Sequence, residues 1–371
     1  MKTQLLKSTE HKHAAEILKK GGLVAIPTET VYGLAGNATN PEAVSKIFEA
    51  KERPKFDPLI VHLSEKYLSD PLLQLSQDGL IDLGLISSDV KPLIQTLIKN
   101  FWPGPLTLLL PRGKKIPDLV TSGLPLVGLR MPQHPLTQKL LSELNFPLAA
   151  PSANRFGKIS PTQAQAVMQE LDGRIDAVLD GGPCQVGVES TVVQIISPHE
   201  IQILRPGGIT QENLQKTTQV QISQAQPKTA DHKISAPGML DSHYAPDKPF
   251  FMLPSSWENL SFEKFDKIKK LLQKNQNPSG WLIFWGDEQR EKEHLERRLG
   301  LPVIVKTLSP IKENWTEAAQ NLFLCLRELQ DSQAQILFTE PCPSQTGLGH
   351  AISDRLQRAT AQWKSIWREG A

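Results

Sequence analysis

Between Leu23 and Arg205 the chain returns again and again to short apolar runs: LVAI, PLIVHL, LTLLL, LVGLRM, DAVLD, STVVQII and EIQIL. Runs of this length, rich in β-branched residues, read as buried strands. The segments between them carry apolar residues at helical spacing. Ala14, Ile17 and Leu18 define one buried helix face, stopped by Gly21-Gly22. Asn40 before Pro41 reads as an N-cap with proline in the first turn, opening a helix through Val44, Ile47 and Phe48 that ends near Lys51. PLIQTLIKN, HPLTQKLLSEL and TQAQAVMQEL read as further helices, FWPGP as a turn, and FPLAAPSAN as a strand running into a loop. A chain that mixes helices with this many strands buries both by layering helices on a sheet, so residues 1–210 are expected to form an α/β domain.

From 211 to 247 the chain turns polar, with QENLQKTTQVQISQAQPKTADHKI offering little to a core, and a linker is expected. Beyond it, WLIFWG, PVIVK and AQILFTEP alternate with the helical stretches EQREKEHLERRLG, NWTEAAQNLFLCLRELQ and GLGHAISDRLQRATAQW. That alternation predicts a smaller, mostly parallel α/β sheet over 248–371, covered on both faces. The GLG of the last stretch lacks the spacing and lysine of a phosphate loop and reads as a turn.

The 371 residues carry a formal net charge of only +2, too little for wholesale binding of a long polyanion. Anion recognition must then come from local clusters. Cys184, Cys325 and Cys342 are odd in number and far apart, which points to a reducing cytoplasm and no structural zinc. The opening MKTQLLKSTEHKHAAEILKKGG lacks an apolar signal core, and no run is long enough to span a bilayer; neither export nor membrane attachment is expected.

Few residues announce chemistry by themselves. In EAKERPKFDPLIVHL, Lys51, Arg53 and Lys55 stand among prolines between a helix end and a strand closed by His62. They fit a solvated helix end as well as an anion grip. In PSANRFGKISPTQAQ, Ser160, Pro161 and Gln163 fit a capping box, whose free N–H groups would face a loop holding Ser152 and Asn154. DGGPCQVGVESTVV is a glycine-rich turn before Glu189, Ser190 and Thr191, in which Cys184 reads as structural. Arg130 and Arg205 sit where strands run out, suited to forked pairing with phosphate or carboxylate. APGMLDSHYAP places His243 and Tyr244 between prolines in the polar segment, as a lid would. Paired carboxylates, zinc ligands and a Ser-His-Asp triad are missing from these motifs.

In their order along the chain, GGLVAIPTETVYGL, KERP with PLIVH, FWPGPLTLLL, VGLRMPQHP, PSANRFGKISPT, and GVESTVV with ILRPG resemble the YrdC-type family of threonylcarbamoyl-AMP synthases in its long, two-domain form. The PGM...HYAP segment and GLGHAISDRLQRA extend the likeness over nearly the whole chain. The resemblance implies a twisted α/β sheet with a concave positive surface, a smaller Rossmann-like carboxy-terminal domain, and a linker folding over the active site. It implies synthesis of L-threonylcarbamoyladenylate from L-threonine, bicarbonate and ATP, with magnesium accompanying the ATP and pyrophosphate released. The product would go to a tRNA threonylcarbamoyl transferase complex acting beside the anticodon; direct contact with tRNA stays open. The other reading is an RNA-binding or regulatory module of the same fold without synthase activity.

By motif position, the resemblance assigns Lys51, Arg53, Ser152, Asn154, Ser160 and Arg205 to the nucleotide, with Lys51 and Arg53 carrying phosphate charge and the chemistry. His243 and Tyr244 would touch the nucleotide from the linker. Thr30, His62, Arg130 and Ser190 would surround threonine, Arg130 pairing with its carboxylate. Asp57 departs from the pattern, standing where the family usually shows asparagine, and Arg155-Phe156 is bulkier than usual after the S-x-N motif. An acid beside a triphosphate repels it unless a cation compensates.

Overall fold

The computed structural model describes residues 2–225, 243–273 and 277–363. They divide into two compact units, one of residues 2–156 and 160–225, the other of 157–159 and those from 243 onward.

The first unit is built on strands β1 (Gln4–Leu6), β2 (Val24–Ile26), β3 (Gly33–Asn37), β4 (Ile60–His62), β5 (Leu106–Pro111), β6 (Leu126–Arg130), β7 (Leu148–Ala149), β8 (Ala177–Leu179), β9 (Thr191–Ser197), β10 (Glu200–Arg205) and β11 (Gln221–Gln224). They form one mixed, twisted sheet in the order β1-β8-β2-β3-β7-β4-β6-β5-β9-β10-β11. Its helices are α1 (His11–Lys19), α2 (Pro41–Lys51), α3 (Pro71–Gln77), α4 (Lys91–Phe101), α5 (Asp118–Thr121), α6 (Pro135–Ser142), α7 (Ala164–Leu171) and α8 (Gln211–Thr218). Period-two alternation divides the strand residues between two cores. Val24, Ile26 and Leu179 pack with Leu18 of α1 and Leu140 of α6. Ala25 and Val178 pack with Ile47 of α2, Leu97 of α4 and Val167 of α7.

Local rules hold at α2, where the Asn40 side chain accepts the N–H groups of Glu42 and Ala43, and Glu52 ends the helix in the left-handed region at φ 54°. The linker expected from 211 fails over its first part. Thr210 and Asn213 form a capping box, Leu214 is fully buried, and β11 adds in parallel to β10. A polar edge strand needs only one apolar face, so QVQISQ hides its strand character. Residues 226–242, the rest of that segment up to His243, lie outside the described residues.

The second unit is a four-stranded, all-parallel sheet of β12 (Phe250–Met252), β13 (Ser279–Trp285), β14 (Val303–Ser309) and β15 (Leu337–Thr339), in the order β12-β15-β13-β14. Its helices are α9 (Phe262–Gln273), α10 (Glu288–Leu299), α11 (Trp315–Asp331) and α12 (Gly347–Ala359). Asp287 caps α10 and Gly300 ends it at φ 68°. Gly280 lets β15 approach β13: a Cβ there would lie 2.5 Å from a Leu337 methyl. Among the described residues no helix is long and apolar enough to cross a membrane.

Candidate functional site

Pro27 ends β2, and Thr28 then organises the turn that follows. Its hydroxyl donates to the Val31 carbonyl at 2.6 Å, accepts from the Val31 N–H at 3.2 Å, and lies 2.9 Å from the Thr30 hydroxyl. Tyr32 N–H donates to the Pro161 carbonyl and Ala153 N–H to the Tyr32 carbonyl, at 2.8 and 2.7 Å. The PTETVYG turn is thereby zipped to the PSAN loop, bringing Thr30 and Ser152 to the same end of the sheet.

Lys51, the last residue of α2, turns inward to that loop. It is 1% exposed, and its ammonium donates to the carbonyls of Ser152 and Asn154. Arg53, after the helix stop, is also buried: Nη2 lies 2.9 Å from Asp57 Oδ2 and donates to the Pro58 carbonyl, while Nε donates to the Asp57 carbonyl. Burial pushes the Lys51 ammonium well below the usual lysine range, and the Arg53 charge pushes it further. Burial raises the Asp57 carboxyl, against the pull of Arg53, Lys51 and Arg205. The acid that looked misplaced in sequence is thus the buried counter-charge of Arg53, and it also feels the charges of Lys51 and Arg205.

Arg205, at the end of β10, donates from Nε and Nη2 to the Ser190 carbonyl and from Nη2 to Ser190 Oγ at 3.0 Å. Ser190 Oγ is in turn 2.8 Å from Thr107 Oγ1. Ser190, assigned to threonine by resemblance, therefore touches a residue assigned to the nucleotide. Gly207 is required here because a Cβ would meet the Glu189 carbonyl at 2.3 Å. Ser160 corrects the sequence reading. It caps no helix: α7 begins four residues later, with Gln163 as an N-cap that makes no side-chain bond. Its hydroxyl donates instead to Glu189 Oε1 at 2.6 Å, a buried partner supplied by tertiary structure.

Parallel pairing of β4 with β6 sets His62 beside Arg130. Burial and the Arg130 charge hold the His62 imidazole down to about 3, so it is neutral at physiological pH. Arg130 Nη2 forms a buried ion pair with Glu29 Oε1 at 2.7 Å, while Arg130 Nε has no hydrogen-bond partner among the described residues. Glu29 Oε2 accepts from Gln133 N–H, and the Glu29 carbonyl from Val186 N–H. Sequence reasoning passed over Glu29; its one signal was a charge inside the otherwise uncharged IPTETVYGL. Cys184 is buried, and burial pushes its thiol up to about 12, which leaves it unreactive.

His243 and Tyr244 belong to the second unit. Tyr244, 1% exposed and left-handed at φ 63°, packs edge-on against His243 at 4.2 Å and tilted against Phe323 of α11, with the Arg355 guanidinium 5.3 Å from its ring centre. His243 N–H donates to the Arg358 carbonyl of α12. Both side chains are thus core elements of that unit. Among the described residues no group of three or more His, Cys, Asp or Glu is placed to hold a metal, so a magnesium ion would rely on oxygens from the triphosphate and water.

The comparisons with known proteins agree with one another. The family model of the Sua5, YciO and YrdC proteins, described as telomere recombination, matches residues 16–207, and that of the threonylcarbamoyl-AMP synthase C-terminal domain matches 209–361. The chain is 38% identical over 350 residues to the threonylcarbamoyl-AMP synthase of Bacillus subtilis, covering 93% of this chain and 91% of the relative. It is 33% identical to that of Pyrococcus abyssi, covering 94% and 93%. Its fold matches the crystal structure of P. abyssi Sua5 complexed with L-threonine with a TM-score of 0.79 at 32% identity, over 98% of this chain and 99% of that one.

Proposed function

The chain belongs to the threonylcarbamoyl-AMP synthase family in its two-domain form, and from that premise we propose that it makes L-threonylcarbamoyladenylate from L-threonine, bicarbonate and ATP. Threonine's amine and bicarbonate condense to an N-carboxy group with loss of water; one oxygen of that group attacks the α-phosphorus, and pyrophosphate leaves. Both reactants are anions, so the barrier is largely repulsion and positioning. The observation that carries the reading is the burial of Lys51, Arg53 and Arg205, with Asp57 paired to Arg53. A triphosphate among them favours the ammonium form of Lys51, which burial opposes.

In this reading Lys51, Arg53 and Arg205 compensate phosphate charge, and Ser152, Asn154 and Ser160 supply hydrogen bonds to the nucleotide. The unsatisfied Nε of Arg130 supports a role in holding the threonine carboxylate, beside Thr30, neutral His62 and Ser190. A neutral imidazole leaves threonine's amine free to attack. The N-carboxy group is labile in water and must be kept dry while it reacts. Magnesium enters with ATP, and no step here depends on protein ligands for it. The reaction is cytoplasmic, and its product passes to the transferase that modifies tRNA beside the anticodon. The test is mass-spectrometric detection of threonylcarbamoyladenylate after incubation with ATP, threonine and bicarbonate. Product that forms only when all three are present is expected; its absence under those conditions overturns the reading.

A further inference from the structure

The second unit has a cavity of its own, about 670 Å³ in volume, at the carboxyl ends of its parallel strands. In open parallel sheets ligands settle at this end, where neighbouring strands are followed by connections running to opposite sides. Here that point lies between β13 and β15: the chain leaves β13 through α10 to β14, then returns through α11 to the other side of β13. Glu340 follows β15 into this crevice and is 6% exposed. Its two carboxylate oxygens each accept one backbone N–H, from Trp257 at 2.9 Å and Phe284 at 3.2 Å, and each keeps a lone pair for another donor.

Two further properties of the lining select the ligand's charge. Glu258, Glu291 and Glu313 join Glu340 against a single lining cation, Lys312, and burial together with mutual repulsion raises the carboxyls of both Glu291 and Glu340. Half-buried Trp285 and Trp315 meet edge to face, 5.0 Å apart at 82°, and line the same space. A cation relieves the carboxylate repulsion and is attracted to the indole faces. A bare metal ion is disfavoured, because among the described residues no three acidic or imidazole groups converge closely enough to ligate one. We propose that this cavity binds a small organic cation, an amine or guanidinium, whose charged head meets Glu340 and Glu258 and whose stem lies against Trp285 and Trp315. Its lining residues all belong to the second unit, and the proposal does not rest on the synthase reading.

The test titrates the full-length chain, without nucleotide or threonine, with spermidine, agmatine and putrescine. Tryptophan fluorescence and equilibrium dialysis report binding, at an ionic strength matched with sodium chloride. Saturable one-to-one binding of at least one probe is expected. Trp285→Ala and Glu258→Gln should each weaken it about tenfold. Glu258 is exposed at the rim, so its variant keeps the test informative if Trp285→Ala fails to fold. Failure of all three probes to bind overturns the proposal. So does binding that Glu258→Gln leaves unchanged, or that magnesium at equal ionic strength displaces. Adenylate synthesis is assayed apart from this, so either reading can fall while the other stands.

Discussion

The site residues of the first unit and the cavity of the second bury charges of opposite sign, although the second unit also buries Arg327 and Arg355 elsewhere in its core. The first encloses Lys51, Arg53, Arg130 and Arg205, held by backbone carbonyls and by Asp57 and Glu29; the second encloses Glu340 and Glu291, held against backbone N–H groups and indole rings. The chemistry of the groups makes these two solutions unequal. A guanidinium keeps its charge at any depth, so the basic centre stays positive whether or not an anion is bound. Burial and mutual repulsion raise the Glu291 and Glu340 carboxyls instead, so the acidic cavity holds its charge less firmly.

The sharpest way to break this contrast is Arg130→Ala, which strands the Glu29 carboxylate in the core. It should cost about 3 to 5 kcal/mol in urea denaturation. A loss under 1 kcal/mol would mean that Glu29 is not paired as described. Next comes Lys51→Met, which removes a buried charge while keeping the volume. Adenylate formation should fall at least about a hundredfold in a chain that still unfolds cooperatively. Retained turnover removes Lys51 from the chemistry.

The His62 imidazole gives a pH test of intermediate size. Its pKa is depressed in the folded state to about 3, so the folded protein binds fewer protons than the unfolded chain. Its stabilisation is therefore complete above the ordinary histidine value and is lost as pH falls below it. Relative to His62→Gln, the wild type should lose about 2 kcal/mol between pH 7 and pH 5. Parallel pH profiles of the two proteins would place His62 in water. The smallest effect belongs to the other unit. Glu291 has a raised pKa, so its folded form gains protons and its ionisation at pH 7 weighs against folding. Glu291→Gln should raise the melting temperature slightly at pH 7, and the gain should vanish once acid protonates the wild-type carboxyl. A gain that persists in acid would have another origin.

What sequence alone could supply follows the range of the forces involved. The Asn40-Pro41 start of α2 and its end near Lys51 were readable because caps act within one turn. Ser160 misled for the opposite reason: the local pattern was a capping box, and Glu189, 29 positions away, took its hydroxyl. Lys51 and Arg53 stood out in the chain, but spacing alone left them between a solvated helix end and an anion grip. The structure puts them inside, paired with carbonyls and with Asp57. The cavity of the second unit left no trace at all, because Trp257, Trp285, Trp315 and Glu340 come from the ends of four strands or the connections that follow them and meet only when the sheet is built.

The edge of the large sheet also bears on how the chain is made. β1 pairs with β8, and the Thr3 hydroxyl donates to the Ile175 carbonyl across 172 residues of chain. At translation rates of about 5 to 20 residues per second, the first strand waits roughly 10 to 35 s for its partner to be synthesised. Until then β2, which also pairs with β8, lacks its neighbour on that side. The first unit can therefore close only late in synthesis, and until β8 emerges its amino-terminal strands present an unpaired edge.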